Sequence, residues 1–151
     1  MISKHVSYKE GTRSFTALRL GIDNEPTGYH RSNMEILAEN VFEPLRKWVG
    51  KPIKINSFYR GPELNKAIGG SSKSQHCEGR AMDIDDTYGH KTNAEMYEYI
   101  KDNLDFDQMI WEFGTDENPA WIHVSYVSED SNRNRCLKAY KENGKTKYKV
   151  I

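Results

Sequence analysis

The chain has few of the features that mark several common classes of protein. It has two cysteines, Cys77 and Cys136, among 151 residues. Two are too few for a disulfide framework, and these form no C-x-x-C pair. Its 22 basic and 22 acidic residues cancel, so the net charge predicts no polyanionic partner. No run of like charge resembles a nucleic-acid-binding arm, which argues against nucleic acid as a partner.

Long apolar runs are also missing. No stretch approaches the ~18–20 apolar residues of a membrane span, and the first ten residues lack the apolar core of a secretory signal. We therefore expect a chain synthesised in the cytoplasm without a signal peptide. The length of 151 residues predicts one domain, residues 1–151, that buries its own core. Nothing in the sequence predicts the oligomeric state.

Periodic patterns predict both helices and strands. Ser32 and Glu35 fit a capping box, and the apolar steps that follow predict a helix to Gly50, which Pro44 should kink or interrupt. A second capping box begins a helix over 92–104. Shorter helices are expected at about 15–20 and 63–68, and strands at 51–58, 80–85, 107–113, 120–127, 136–140 and 145–150.

Residues 74–83, Ser-Gln-His-Cys-Glu-Gly-Arg-Ala-Met-Asp, carry the chemistry that the rest of the chain is expected to support. They place His76 seven residues before Asp83, and His123 follows far downstream. A carboxylate inside a strand with apolar neighbours is costly unless it is paired or bound to a metal. Two imidazole nitrogens and one carboxylate oxygen leave a fourth tetrahedral position open for water, as a catalytic zinc ion requires. The prediction is a Zn²⁺ site that cleaves a peptide bond; the alternative is two core histidines without a metal.

Cys77 adjoins the candidate ligand His76. A half-buried structural role is favoured over that of a nucleophile or a fourth ligand. In an extended segment, successive side chains point to opposite faces, so Cys77 would face away from a metal bound by His76.

The pattern Ser-x-His-x-x-Gly-x-Ala-x-Asp at 74–83, with Trp-x-His at 121–123, resembles the signature of zinc D-Ala-D-Ala carboxypeptidases. The related LAS-type peptidases, including phage endolysins and D-Ala-D-Ala dipeptidases, share it. Further similarity extends over about residues 30–127 through Tyr59-Arg60, residues 64–70 and Phe-Asp-Gln at 106–108. The resemblance implies an α+β fold of hedgehog-like type, in which helices flank a central antiparallel sheet that bears the zinc site. It also implies a peptidoglycan peptide as substrate and a phage or prophage lytic protein that acts on the cell wall after release.

The resemblance also assigns roles to individual residues. It implies that His76, Asp83 and His123 are the zinc ligands. Arg60 would grip a substrate carboxylate or stabilise the oxyanion, since its guanidinium fork suits either target; the alternative is a surface salt bridge. Ser74 would hydrogen-bond the substrate or only cap the loop.

The general base is the point of departure from the family pattern. Many relatives carry an acidic residue three positions before the last histidine, where this chain has Ala120. The expected substitute is Glu112, whose pKa its aromatic neighbours would raise; Asp116 and Glu117, in the turn that follows, are the less favoured candidates. The Glu112 side chain shares the face of His123 if it pairs with an odd-numbered residue near Trp121. The alternative is an edge or salt-bridged glutamate.

A second function from another class is also carried forward. The chain could retain the fold and the metal but serve as a non-catalytic module that binds a cell-wall peptide or forms part of a phage particle. Ala120 is the feature that favours this alternative.

Overall fold

The structure is a computed structural model that describes residues 1–151. The fold is built on one mixed sheet of six strands. The helices are α1 Tyr8–Thr12, α2 Phe15–Leu20, α3 Gly28–Leu37, α4 Glu43–Val49, α5 Pro62–Ala67 and α6 Asn93–Asn103. The strands are β1 Lys54–Ser57, β2 Ala81–Asp85, β3 Gln108–Glu112, β4 Trp121–Ser125, β5 Arg135–Glu142 and β6 Lys145–Val150. A π-helical turn, Ala38–Phe42, joins α3 to α4, and a 3₁₀ turn, Gln75–Glu78, precedes β2.

The sheet has the strand order β1-β2-β4-β3-β5-β6. All neighbouring strands are antiparallel except β3 and β5. The expected α+β fold with a central antiparallel sheet is thus confirmed in outline. The parallel pairing was not predicted. β5 follows β4 in the chain and runs in the opposite direction, but it lies beside β3 instead of β4. Because β3 is also antiparallel to β4, β5 and β3 run parallel to each other.

The main core fills the space between the helices and one face of the sheet. Alternate strand residues point into it, as the period of two in a strand requires. Those from the central strands are Met82, Ile84, Met109, Ile122 and Val124, and they pack with Leu37, Val41, Leu45 and Ile100 from the helices. The opposite face of the sheet carries a smaller apolar cluster, Ile110, Leu137 and Ala139, together with polar side chains of the same strands. None of the helices is both long and apolar enough to cross a membrane.

The helix predicted to begin at Ser32 begins earlier, at Gly28, so the predicted capping box is wrong. Thr27 is the cap: its hydroxyl accepts a hydrogen bond from the His30 amide at 3.3 Å, and the His30 ring accepts one from the Thr27 amide at 3.4 Å. His30 takes the position that Glu or Gln holds in the usual capping box. The usual pattern therefore matched Ser32 with Glu35 and missed Thr27. The second predicted capping box, at the start of α6, is confirmed.

Pro44 interrupts this helix without ending it. The chain widens into the π-helical turn and resumes as α4, with Pro44 in the first turn of α4. The Glu43 amide still donates to the Ala38 carbonyl, five residues back, so the helical hydrogen bonds continue up to Pro44, and the wider turn accommodates a proline that has no amide to donate.

The chain closes with the hairpin of β5 and β6. Its turn contains Asn143 and Gly144 with φ of 52° and 76°, so the predicted Asn-Gly turn is confirmed. β5 begins one residue earlier and ends two residues later than predicted. Every second residue of the edge strand β6 is a lysine, at positions 145, 147 and 149, and all three are exposed.

Candidate metal centre

His76, Asp83 and His123 come together on the face of the sheet that the helices leave open. Asp83 and His123 are direct partners across β2 and β4, and the 3₁₀ turn before β2 carries His76. One possible ligand atom from each residue lies within 4.8 Å of the others. Oδ1 of Asp83 is 3.1 Å from Nδ1 of His123 and 3.3 Å from Nε2 of His76.

The environment of His76 suits a metal ligand. Its side chain is buried, and its Nδ1 lies 2.7 Å from the carbonyl oxygen of Phe58. Nδ1 must donate that hydrogen bond, because a carbonyl only accepts, so the neutral ring has a free lone pair on Nε2. Nε2 is buried, lies 3.3 Å from Oδ1 of Asp83 and has no hydrogen-bond partner of its own. A buried nitrogen that has no hydrogen-bond partner and lies close to two further possible metal ligands is the arrangement expected where a cation binds.

The donor set also indicates which metal would fit. Two imidazole nitrogens and one carboxylate oxygen are ligands typical of zinc. Donors in a tetrahedral zinc site lie ~3.3–3.5 Å from one another, since each is ~2.0–2.2 Å from the metal. The two Asp83–histidine distances, 3.1 and 3.3 Å, are close to that separation. His76, Asp83 and His123 therefore form a cluster able to hold a metal ion.

Asp83 is held in the charged form that a ligand needs. Burial opposes its charge, but in the metal-free site the positive charge of a protonated His76 and a hydrogen bond from His123 outweigh burial and hold the pKa of Asp83 well below its usual range. Because metals bind carboxylates in the ionised form, Asp83 is prepared for a cation before one arrives.

The turn that carries His76 is fastened at both ends. Ser74 caps it, with its hydroxyl accepting a hydrogen bond from the His76 amide at 3.3 Å. Gly79 ends it with φ of 74°, in the left-handed region. A β-carbon at Gly79 would lie 2.4 Å from the His30 carbonyl oxygen and 2.9 Å from Cγ of Met34. Only glycine fits there, because both the backbone conformation and the space exclude a side chain.

A buried carboxylate also fixes the first residue of this turn, Gln75. Nε2 of Gln75 donates to Oδ2 of Asp107 at 2.9 Å, and Arg133 donates to both Asp107 oxygens, at 3.0 and 2.8 Å. Asp107 belongs to the Phe-Asp-Gln stretch that contributed to the resemblance, but the sequence did not reveal its partners. It holds the residue next to His76, so it positions the metal cluster without being part of it.

Cys77 lies outside the cluster. The segment forms a 3₁₀ turn instead of an extended strand, so the expected alternation of faces does not apply. Cys77 is half-buried, and burial raises the pKa of its thiol. A thiol with a raised pKa is a poor nucleophile.

Glu112 lies on the same open face. It pairs with Trp121 while Ile110 pairs with His123, so the predicted sharing of a face with His123 is confirmed. Diagonal neighbours of this kind have Cα atoms ~7–8 Å apart, within reach of long side chains. Glu112 is buried and has no side-chain hydrogen bond or ion pair, and β3 is interior to the sheet. It is therefore neither an edge residue nor a salt-bridged one.

The surroundings of Glu112 suit proton transfer near neutral pH. Burial raises the pKa of its carboxyl to about 7, against the opposing effect of His123 and with a further rise from the Asp83 charge. A carboxyl with such a pKa can both accept and return a proton at neutral pH.

Arg60 and Ser74 lie beside the cluster, on the β1 side of the sheet. The Arg60 amide donates to the His76 carbonyl at 3.2 Å, and Nη2 of its guanidinium lies 3.5 Å from the Ser74 hydroxyl. Nε of Arg60 is buried without a partner, and no carboxylate forms an ion pair with it. The alternative of a surface salt bridge is therefore wrong.

Comparison with known families agrees with this site. Residues 4–125, well over half of the chain, match the family model described as Peptidase M15. The chain belongs to the peptidase M15 family. M15 peptidases are zinc-dependent, so this membership makes the chain a metallopeptidase whose His76, Asp83 and His123 cluster can hold the metal. The family also suggests activity on peptidoglycan. No curated protein matches the sequence.

Proposed function

We propose that this M15 metallopeptidase hydrolyses peptide bonds in peptidoglycan, with His76, Asp83 and His123 as its zinc ligands. The observation that carries the proposal is the unpartnered, buried Nε2 of His76, which points at the donors of Asp83 and His123. Glu112 adds a buried carboxyl on the same face of the sheet. Three donors beside a proton acceptor make up the minimum required for metal-assisted hydrolysis.

Glu112 is the proposed general base. A bound zinc ion would lower the pKa of water toward ~7 and polarise the carbonyl of the substrate. The Glu112 carboxylate takes a proton from the attacking water and, as a carboxylic acid, returns it to the amine that leaves. Its pKa of about 7 suits both transfers, because the two protonation states are then similar in free energy near neutral pH.

Arg60 and Ser74 are the proposed substrate-binding residues. The Arg60 guanidinium either binds a substrate carboxylate or donates to the oxyanion that develops on the carbonyl oxygen. A D-Ala-D-Ala carboxypeptidase would use the first role, because its substrate has a free carboxylate next to the scissile bond. An endolysin-like endopeptidase would use the second. In a phage or prophage setting, the chain would reach the cell wall after release from the cytoplasm.

A second function is favoured by one observation. Ala120 stands where many relatives have an acidic residue, as in a module that keeps the metal but has lost its base. Such a protein would bind a cell-wall peptide or form part of a phage particle without cleaving peptide bonds.

Digestion of purified muropeptides, followed by mass spectrometry with and without a chelator, tests the proposal and reports the bond that is cut. We expect about one zinc per chain and cleavage that the chelator abolishes. Glu112→Gln should lower kcat by about two orders of magnitude or more while zinc content is unchanged. His76→Ala should lose the metal itself.

Glu117→Gln is the matched control, because Glu117 is an exposed carboxylate in the turn between β3 and β4, and it should behave like the wild type. Zinc retained without cleavage of any muropeptide would favour the binding module. A nearly unchanged rate in Glu112→Gln would remove Glu112 from its assigned role.

A further inference from the structure

The C-terminal hairpin extends the open face of the sheet beyond residues 4–125, which match the family. Glu112 of β3 pairs with Ala139 of β5, and Ala139 pairs with Tyr148 of β6. Paired residues of neighbouring strands point to the same face of a sheet. Tyr148 therefore lies on the face that carries Glu112 and the metal cluster, in the same cross-strand row as Glu112.

The residue between them is an alanine, so its small side chain leaves room for Glu112 and Tyr148 to approach each other across it. Neighbouring strands are ~4.8 Å apart, so two intervals place the backbone of Tyr148 ~10 Å from that of Glu112. Ala139 between them is fully buried and belongs to a small apolar cluster with Ile110 and Leu137, against which Phe113 packs. Glu112 and Tyr148 are its two partners in the row.

Tyr148 is available to a ligand. The residue is 54% exposed, and its hydroxyl has no hydrogen-bond partner within the chain. Burial of part of the ring, followed by the charges of Glu112 and Asp83, raises the pKa of Tyr148. The phenol is therefore a neutral hydrogen-bond donor at neutral pH, and the electrostatic effect of both carboxylates agrees with its place above the site.

The open face thus has hydrogen-bonding groups on two sides of the metal cluster. Arg60 follows β1 at one side, and Tyr148 belongs to β6 at the other. β6 is three strand intervals from β4, or ~14 Å from the strand that carries His123, a span of about four residues of extended peptide. A peptide that lies across the strands would meet Tyr148 a few residues from its scissile bond.

We propose that Tyr148 is a substrate-binding residue whose hydroxyl donates a hydrogen bond to the peptide on the side of the metal cluster opposite Arg60. This assignment rests on the proposed peptidase function and adds to it a contact made by the hairpin. A peptide carbonyl is the natural acceptor, and the exposed ring adds apolar contact. Because the contact is remote from the reacting atoms, it should affect substrate binding more than the chemical step.

Tyr148→Phe in the full-length, zinc-loaded protein tests the assignment. Tyr140→Phe is the matched control, since Tyr140 lies on the opposite face of the same hairpin, with the Lys149 ammonium 5.8 Å from its ring centroid. The kcat and KM for one purified muropeptide, the zinc content and thermal unfolding are measured for each protein. We expect Tyr148→Phe to raise KM about tenfold and to change kcat less than about twofold, which corresponds to one lost hydrogen bond. Zinc content and unfolding should not change, and Tyr140→Phe should match the wild type.

The outcomes separate this assignment from the proposed function. If the wild type cleaves the muropeptide and Tyr148→Phe has an unchanged KM, or a loss confined to kcat, the assignment is overturned and the peptidase remains. If the wild type cleaves no muropeptide, the proposed function fails, and equilibrium binding of the same muropeptide decides the role of Tyr148. An about tenfold weaker Kd in Tyr148→Phe supports the contact; equal Kd values, or no binding by either protein, overturn it.

Discussion

Asp83 and Glu112 are carboxylates on one face of the same sheet, yet their pKa values move in opposite directions. Burial opposes the charge of both. At Asp83 the two histidines outweigh burial and lower the pKa, whereas at Glu112 burial prevails and raises the pKa to about 7. Environments that separate the pKa values of two carboxylates commonly divide their roles. Here they provide an ionised ligand and a group suited to carry protons.

The raised pKa of Glu112 sets the expected pH dependence of hydrolysis. Only the carboxylate form accepts a proton, so kcat/KM should be low in acid and rise to a plateau as pH increases. The midpoint should lie at or below about 7, since a cation beside Glu112 favours the charged form. Steady-state assays across this range measure it. The residual activity of Glu112→Gln should lack the rise, and a wild-type profile that is flat in acid would contradict the role of Glu112.

At the scale of single elements, the 3₁₀ turn before β2 depends on Gly79. Gly79→Ala should cost about 3 kcal/mol or more of unfolding free energy, because it forces a left-handed alanine against the His30 carbonyl. Gly89→Ala is the control, since Gly89 has φ of 75° and open space around its added β-carbon. It should cost only about 1–2 kcal/mol. Denaturant unfolding measures both, and equal losses would show that the contact with α3 is unimportant.

Elements with strong local patterns were predictable from the sequence. The second capping box, the alternation in β2 and the Asn-Gly turn each depend on residues close together in the chain. The face of Glu112 also followed from alternation once its pairing with Trp121 was assumed, because a strand has a period of two. Local chemistry determines these features, and it can be read from a single sequence.

Features that depend on distant partners were not predictable. The parallel pairing of β3 with β5 reflects where the chain re-enters the sheet, and no residue in either strand encodes it. The start of α3 was misplaced because His30 replaces the usual acidic residue. The partners of His76 and Gln75, the Phe58 carbonyl and Asp107, lie 18 and 32 residues away in the chain.

At the scale of the whole molecule, the metal cluster joins segments that are far apart in the chain. Asp83 and His123 are 40 residues apart, and the sheet holds them together. A cation that binds only the folded form stabilises it by mass action, by about 2.7 kcal/mol at a free concentration 100 times Kd. Zinc should therefore raise the unfolding temperature of the metal-free protein, and a chelator should reverse the effect.

Thermal unfolding with and without zinc measures this stabilisation. His123→Ala removes one donor and should largely abolish the zinc-dependent shift, whereas Glu112→Gln should retain it. Identical unfolding temperatures with and without zinc would show that the three donors do not bind the ion in the folded protein.

The alternating lysines of β6 have a consequence for the protein at high concentration. An edge strand offers unpaired backbone groups to any other strand, so copies of a sheet protein tend to stack edge to edge. Two β6 strands brought together would place rows of ammonium groups beside each other and repel. Salt screens such repulsion over a Debye length of ~8–10 Å at moderate ionic strength. In a concentrated solution, the lysines of β6 therefore oppose edge-to-edge association of this protein, and high salt weakens that repulsion.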